Sequence, residues 1–364
     1  MNRGVGLRRV VLTSALGLFL VAQGASATGR LEAGLEAVGA SVKAGGDVLV
    51  RWSLTNSGSS TAYILRYQTP LFGIEADLFN ISLDGERALY VGKLYKRPAP
   101  TAKDFLALAP GQTLTKVIEL SSAYAMNRAG EYAVQYRADL AESLRPAKLA
   151  GDFDYSEEVL SNSIRLFREQ GAGIVDDSHL LEENLPAGPS LVFRAQPASF
   201  VACSSSQQSA LTSALSQAET YANNASSYLN AGTVGPRYTT WFGSYTSSRY
   251  TSVRNHFTNI KSTTASQSYT FHCDCTSSAY AYVYPTQPYN VWLCNAFWSA
   301  PLSGTDSKGG TLIHETSHFN VVAGTNDYAY GQTACRSLAT SNPKKATNNA
   351  DSHEYFAENN PAQN

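Results

Sequence analysis

Apolar residues recur with a period of two along the first half of the chain and with a helical period along much of the second, so the pattern alone divides the sequence. Val48, Val50, Trp52 and Leu54 fall on one face of an extended run, with Leu49, Arg51, Ser53 and Thr55 on the other. Asn56-Ser57-Gly58 then marks a turn before a second extended run over 62–67. Further strands are predicted at 78–83, 88–91, 113–120 and 132–138, the last with Tyr132, Val134 and Tyr136 on one side. Many short strands separated by Gly, Pro and Asn turns favour an N-terminal all-β sandwich of immunoglobulin-like type. No catalytic constellation falls within it.

The second half reads differently. Ser204 or Ser205 caps a predicted helix running through Leu229, with Leu211, Leu215, Ala218, Tyr221 and Ala222 as its apolar stripe and Gly232 closing it. A second helix is predicted over 247–260. β-formers then cluster at 269–273, 279–284 and 290–293 around Pro285 and Pro288, which suggests a small sheet. Helices over 307–321 and 332–340 complete an α+β half.

Composition adds a compartment. Arg3, Arg8 and Arg9 precede the apolar run 10–22 and the sequence Ala25-Ser26-Ala27, which together read as a secretory signal peptide over 1–27. The run is too short for a comfortable membrane span, and nothing later is more apolar, so a secreted, extracellular product without a membrane partner is expected. A net charge of -1 supplies no basic surplus to neutralise phosphates, which excludes nucleic acid as the main partner. Residues 28–198 hold 17 Lys and Arg with 21 Asp and Glu, against 8 and 8 over 199–364, where hydroxyl side chains dominate. The chain is long enough for two cores, and the expected domains are 28–198, a β-sandwich with its linker, and 199–364. The Gly- and Pro-rich segment 169–198 reads as the connection, with processing expected near 195–202.

All five cysteines lie in the second half, so in an oxidising compartment at least one stays unpaired, and spacing alone does not settle which. Cys335, on a predicted helix, is expected as a buried small side chain.

The chemistry concentrates in His314-Glu315-Thr316-Ser317-His318. Residues four apart on a helix share a face, so both imidazoles can reach one zinc ion, and Glu315 sits beside it as a general base toward an activated water. A zinc catalyst needs a third protein ligand and an open position. Val321 and Gly324 stand where a metzincin would place its Gly and third His. Glu354 and Glu358 could serve from a later helix, and Asp327 is favoured because Gly324-Thr325 makes a turn that returns a carboxylate toward the metal. Taken singly, each residue has a plain alternative: surface histidines for the pair, a turn-former for Asp327, a half-buried aromatic for Tyr330, and His353 as a rival ligand.

The run Gly324-Thr325-x-Asp327-x-x-Tyr330-Gly331 resembles the signature of the aspzincins, the family of deuterolysins and peptidyl-Lys metalloendopeptidases. The resemblance spans roughly 202–364 and is strongest for the lysine-specific members, through blocks such as Tyr238-Thr-Thr-Trp-Phe-Gly-Ser-Tyr, Ala281-Tyr-Val-Tyr-Pro and His353-Glu-Tyr-Phe. It implies a zincin-type metalloprotease domain with one Zn2+ per chain held by His314, His318 and Asp327. It further implies catalysis by Glu315, with Tyr330 steadying the oxyanion, and disulfides Cys203–Cys273 and Cys275–Cys294. Asp351 and Glu354 would form the pocket for a lysine following the cut; three apart on a helix, they can share a face, and two carboxylates can replace the hydration an ammonium loses.

The expected protein is therefore a secreted zinc endopeptidase, a hydrolase of protein or peptide substrates, monomeric, and made as a zymogen whose residues 28–198 form its own propeptide. The alternatives are a broad-specificity deuterolysin-like protease, or an exported binding protein with a structural zinc and a permanently attached β domain.

Overall fold

In the computed structural model of the chain, residues 1, 30–39, 41–139, 158–170 and 198–364 are described. The signal-peptide expectation, most of the connecting segment and the first residues of the expected processing region fall outside the described residues.

Up to residue 170 the described strands are β1 (Leu31–Ala37), β2 (Ser41–Val42), β3 (Leu49–Asn56), β4 (Ala62–Leu65), β5 (Phe79–Leu83), β6 (Glu86–Arg87), β7 (Leu94–Lys96), β8 (Phe105–Leu108), β9 (Thr113–Glu119), β10 (Gly130–Asp139), β11 (Glu158–Leu160) and β12 (Ile164–Arg168). One antiparallel sheet runs β1-β3-β9, and a second is built around β10 with β5 and β12 as its neighbours. The alternation along β3 and β10 explains how these layers meet. Val50, Trp52 and Leu54 from the first and Tyr132, Val134 and Tyr136 from the second enter one buried cluster. The rings of Trp52 and Tyr136 meet edge to face across it, with centroids 5.5 Å apart.

The strand expected at 88–91 does not form. Tyr90 makes a single bridge to Tyr124 and donates its hydroxyl to the carbonyl of Lys93, so the chain bends over Gly92 instead of extending. The unanticipated β1 reads Leu-Glu-Ala-Gly-Leu-Glu-Ala, a composition poor in β-formers, and it is extended because β3 offers it an open edge along its full length.

The second half comprises β13 (Ser199–Val201), α1 (Ser205–Asn230), α2 (Pro236–Phe242), α3 (Ser247–Ser266), β14 (Thr270–His272), β15 (Ala281–Val283), β16 (Asn290–Leu293), α4 (Asn295–Ser299), α5 (Lys308–His318), α6 (Gln332–Ser341), α7 (Pro343–Ala346) and α8 (Ala350–Glu358). Ser204 caps α1 by accepting from the Gln207 amide, and Gln207 reaches back to Ser204 as a capping box. Leu211, Ala214, Ala218, Ala222, Ala225 and Leu229 form its buried stripe, whereas Leu215 and Tyr221 are only partly covered.

Disulfides join Cys203 to Cys273 and Cys275 to Cys294, tying the start of α1 to the sheet, and Cys335 is a buried free thiol. The five-stranded sheet has the order β13-β14-β16-β15-β7. Its last strand is contributed by the N-terminal half. No helix among the described residues is long and apolar enough to cross a membrane.

Candidate active site

Every residue of α5 from Gly309 to His318 is buried, although six of the ten are polar. Ser307 caps the helix by accepting from the Gly310 amide at 2.9 Å. Gly310 has no side chain for a steric reason, since a Cβ there would collide with the Glu358 carboxyl of α8. That close approach sets α8 directly against the helix that carries His314 and His318.

The helix expected over 307–321 ends at His318. Phe319 leaves helical geometry, and a turn through Gly324, at φ +57°, brings Thr325 back so that its amide donates to the Ser317 carbonyl. Only this reversal carries Asp327 to the histidines. Asn349, just ahead of α8, locks the returning loop: its side-chain oxygen accepts from the amides of Tyr328 and Ala329, and its nitrogen donates to the Ala329 carbonyl.

The Nε2 atoms of His314 and His318 lie 3.1 Å apart. Asp327 places Oδ1 3.2 Å from the first and Oδ2 3.4 Å from the second. His318 turns its Nδ1 to the Thr325 carbonyl at 2.9 Å, and His314 turns its Nδ1 to Asp351 Oδ1 at 2.8 Å. With those nitrogens protonated, both Nε2 lone pairs face each other and the Asp327 carboxylate. Neither Asp327 oxygen has a hydrogen-bond donor among the described residues, although the side chain is only 2 % exposed. Such a group of buried, convergent acceptors is costly without a cation. Donors about 2.0–2.2 Å from a tetrahedral zinc lie about 3.3 Å from one another, which is the spacing of this triad. The residues present fit zinc.

Glu315 is the next side chain along the helix. Burial pushes its carboxyl up to about 7, which suits a proton acceptor near neutrality, and a bound cation would draw it down again. Its Oε2 meets no hydrogen-bond donor among the described residues. Its Oε1 accepts from the backbone amide of Lys96 at 3.2 Å. Tyr330, on the other side, donates its hydroxyl to the carbonyl of Tyr95 at 2.8 Å.

Lys96 is the residue that sequence reasoning missed. Its side chain is wholly buried among carboxylates, with Nζ 2.8 Å from Glu354 Oε2, 3.1 Å from Asp306 Oδ1 and 3.3 Å from Asp351 Oδ1. The Tyr280 ring faces the ammonium from 5.0 Å. Burial opposes the charge, but Asp351, Glu354 and Asp306 overcome it and hold the ammonium well above its ordinary range.

Asp351 therefore has two neighbours of consequence, the His314 ring and the lysine, and it also accepts from the Gly331 amide at 2.7 Å. Asp306 carried no signal in the sequence, because it lies in the loop before α5 and acquires meaning only beside the end of Lys96.

The other candidates fall elsewhere. Glu354 lines the lysine pocket instead of the triad, and Glu358 accepts from Ser307 at the opposite end of α5, so neither supplies the third ligand position. His353 points away from the triad toward His256, with 3.0 Å between Nε2 and Nδ1, and burial lowers it to about 3.

The family model described as lysine-specific metallo-endopeptidase matches residues 227–358. The chain is 43% identical over 321 residues to an extracellular protease of Aeromonas hydrophila, covering 87% of this chain and 90% of that one. It is 40% identical over 327 residues to a peptidyl-Lys metalloendopeptidase of Grifola frondosa, covering 85% and 88%. A peptidyl-Lys metalloendopeptidase of Pleurotus ostreatus is 59% identical over 167 residues, which is 45% of this chain and 99% of that one.

Proposed function

Because the chain belongs to the aspzincin family and is a zinc metalloendopeptidase, we propose that it cuts proteins on the amino side of lysine, using His314, His318 and Asp327 as zinc ligands. One observation carries the specificity: the chain's own Lys96 ammonium is sequestered by Asp351, Glu354 and Asp306 while its backbone nitrogen rests on Glu315. A pocket that neutralises a buried ammonium beside the proton-transfer group selects lysine over a neutral side chain, which would leave those carboxylates uncompensated.

When bound, zinc supplies Lewis acidity that acidifies water and polarises a carbonyl. The remaining work belongs to side chains. Glu315 takes the proton from the attacking water and hands it to the lysine nitrogen as the peptide bond breaks. The Tyr330 hydroxyl donates to the carbonyl oxygen as negative charge develops on it. β15, the outermost strand that the second half itself gives to the sheet, aligns the backbone, as it aligns β7 here.

The match of the Pleurotus enzyme, nearly complete on its own side, to less than half of this chain supports reading 199–364 as the catalytic domain and 28–198 as an immunoglobulin-like propeptide domain. A relative named extracellular protease supports export.

Digesting one denatured protein and sequencing the released peptides by mass spectrometry tests the reading. New N-termini should be lysine, and cuts scattered over many residue types would favour a broad-specificity protease instead.

A further inference from the structure

The N-terminal half does more than cover the cleft. β7 lies antiparallel on β15, with Leu94 opposite Val283, Tyr95 opposite Tyr282 and Lys96 opposite Ala281. Within that register a single peptide unit, the one joining Tyr95 to Lys96, meets both groups assigned to the reaction. Its carbonyl oxygen accepts from the Tyr330 hydroxyl and its N–H donates to Glu315. The side chain on the amide side of the same unit is the lysine in the acidic pocket.

A slip of one residue would turn every side chain of β7 to the other face and take the ammonium out of the pocket. A strand running the other way would exchange the carbonyl and amide ends. Direction, register and side chain all agree with a bond about to be cut.

The flanks hold it there. The Tyr95 ring packs on Tyr282 with centroids 5.1 Å apart, and Lys93 places its ammonium 4.4 Å over the same Tyr282 ring. Arg97 is paired with Glu75 at 2.8 Å within the N-terminal half. A cover would not need this. Burying an ammonium against carboxylates is expensive relative to packing an apolar side chain in the same space.

We propose that the Tyr95–Lys96 peptide bond is an intramolecular substrate, so that the chain cuts its own N-terminal half at this bond. The proposal rests on the lysine-specific endopeptidase reading above. The step is a hydrolysis: a water oxygen bonds to the Tyr95 carbonyl carbon, the C–N bond breaks, and Glu315 carries a water proton to the Lys96 nitrogen. Tyr95 is left as a carboxylate and Lys96 as a new α-ammonium, with nothing oxidised or reduced. Until then the precursor is latent, because Lys96 fills the pocket that a substrate lysine would need. After the cut, β5 and β10 still pair across the nick, so the halves of the β domain stay associated while the seated segment is free to leave.

The test uses the full chain purified in chelator and then given zinc. Intact-mass measurement and N-terminal sequencing should find a fragment beginning at Lys96, formed at a rate unchanged by dilution and absent in Glu315→Gln. A second arm needs no turnover. In Glu315→Gln chains, a fluorescein-labelled lysine pentapeptide should bind, by anisotropy, at least about tenfold more tightly when Lys96→Met is added than when Lys96 is present. Should Lys96→Met fail to fold, Lys96→Gln replaces it.

An intact Tyr95–Lys96 bond in a chain that meanwhile digests a denatured protein at lysine overturns the cleavage. Equal peptide binding by the two Glu315→Gln chains overturns the seating. If no lysine bond in any substrate is cut, the endopeptidase reading fails instead, and the binding arm still decides whether Lys96 occupies the pocket.

Discussion

The two halves of the molecule bury different things. The core of the N-terminal half is Trp52, Tyr136, Val134, Phe79 and their apolar neighbours, whereas α5 and α8 bury His314, Glu315, His318, Asp351 and Glu354 against one another. The first core follows from alternation along strands, and its energy comes from apolar area removed from water. The second is a set of polar groups that are mutually satisfied only when a cation and a lysine complete them, so here the sequence has been shaped by chemistry at the expense of packing. Substitutions in the two cores should therefore fail in different ways.

The largest effect is expected at Glu315. Glu315→Gln keeps the shape of the side chain but cannot accept the proton, and peptide hydrolysis should fall by about 100- to 10,000-fold, with zinc content by atomic absorption unchanged. A variant that hydrolyses casein at the native rate would remove Glu315 from the role given to it. Trp52→Ala in the β core should act on stability alone. Removing a ring that is 0% exposed is expected to cost about 3–5 kcal/mol, seen as an earlier thermal transition of the precursor with zinc still bound. Loss of zinc from that variant would mean that the two cores are not energetically separate.

That His314, Glu315, His318, Asp327 and Tyr330 would come together was legible in advance, and the reason is locality. His314, Glu315 and His318 share a helical face, and Asp327 and Tyr330 follow within twelve residues, so one turn suffices to assemble them. The end of α5 was misplaced because Val321 and Val322 prolong the apolar run, and nothing in that run announces that Thr325 must return to Ser317. Lys96 was not legible at all. It lies 219 residues from Glu315, in a three-residue strand followed by Arg97 and Pro98, and neither period nor composition marks a residue whose partners are that far along the chain. In the β half the sandwich pattern was visible in β3 and β10, whereas β1 and β8 are extended through their partners and not through their own residues.

Asp351 and Glu354 sharpen the comparison, because they stand three residues apart on α8 and differ in what they touch. Asp351 contacts both His314 Nδ1 and the lysine, while Glu354 lies 3.5 Å from that nitrogen and 2.8 Å from the ammonium. Asp351→Asn should weaken zinc binding by about 10- to 100-fold, the usual result of removing a carboxylate behind a ligating histidine, and should relax the lysine preference as well. Glu354→Gln should relax the preference and leave zinc affinity near its native value. Titration with a competing chelator and peptide sequencing of a digest read the two properties separately. Identical behaviour of the two variants would mean that Asp351 does not orient His314.

The smallest effect belongs to Asp306, and it bears on whether the acidic pocket has two members or three. Its carboxylate is 3.1 Å from the Lys96 ammonium and accepts from the Tyr355 hydroxyl at 2.7 Å, but the side chain is 33% exposed. Water can take over much of what a partly exposed carboxylate does for an ammonium, so the charge counts for less here than at Glu354, which is fully covered. Asp306→Asn should keep both the Tyr355 contact and the shape of the loop while removing one negative charge. The expected result is a rise in KM for lysine peptides of less than about tenfold, an unchanged kcat, and partial recovery at low salt, where screening of the remaining carboxylates is weakest. A loss as large as that of Glu354→Gln would make the pocket a three-carboxylate site of equal members. No change at all would reduce Asp306 to a loop anchor for Tyr355.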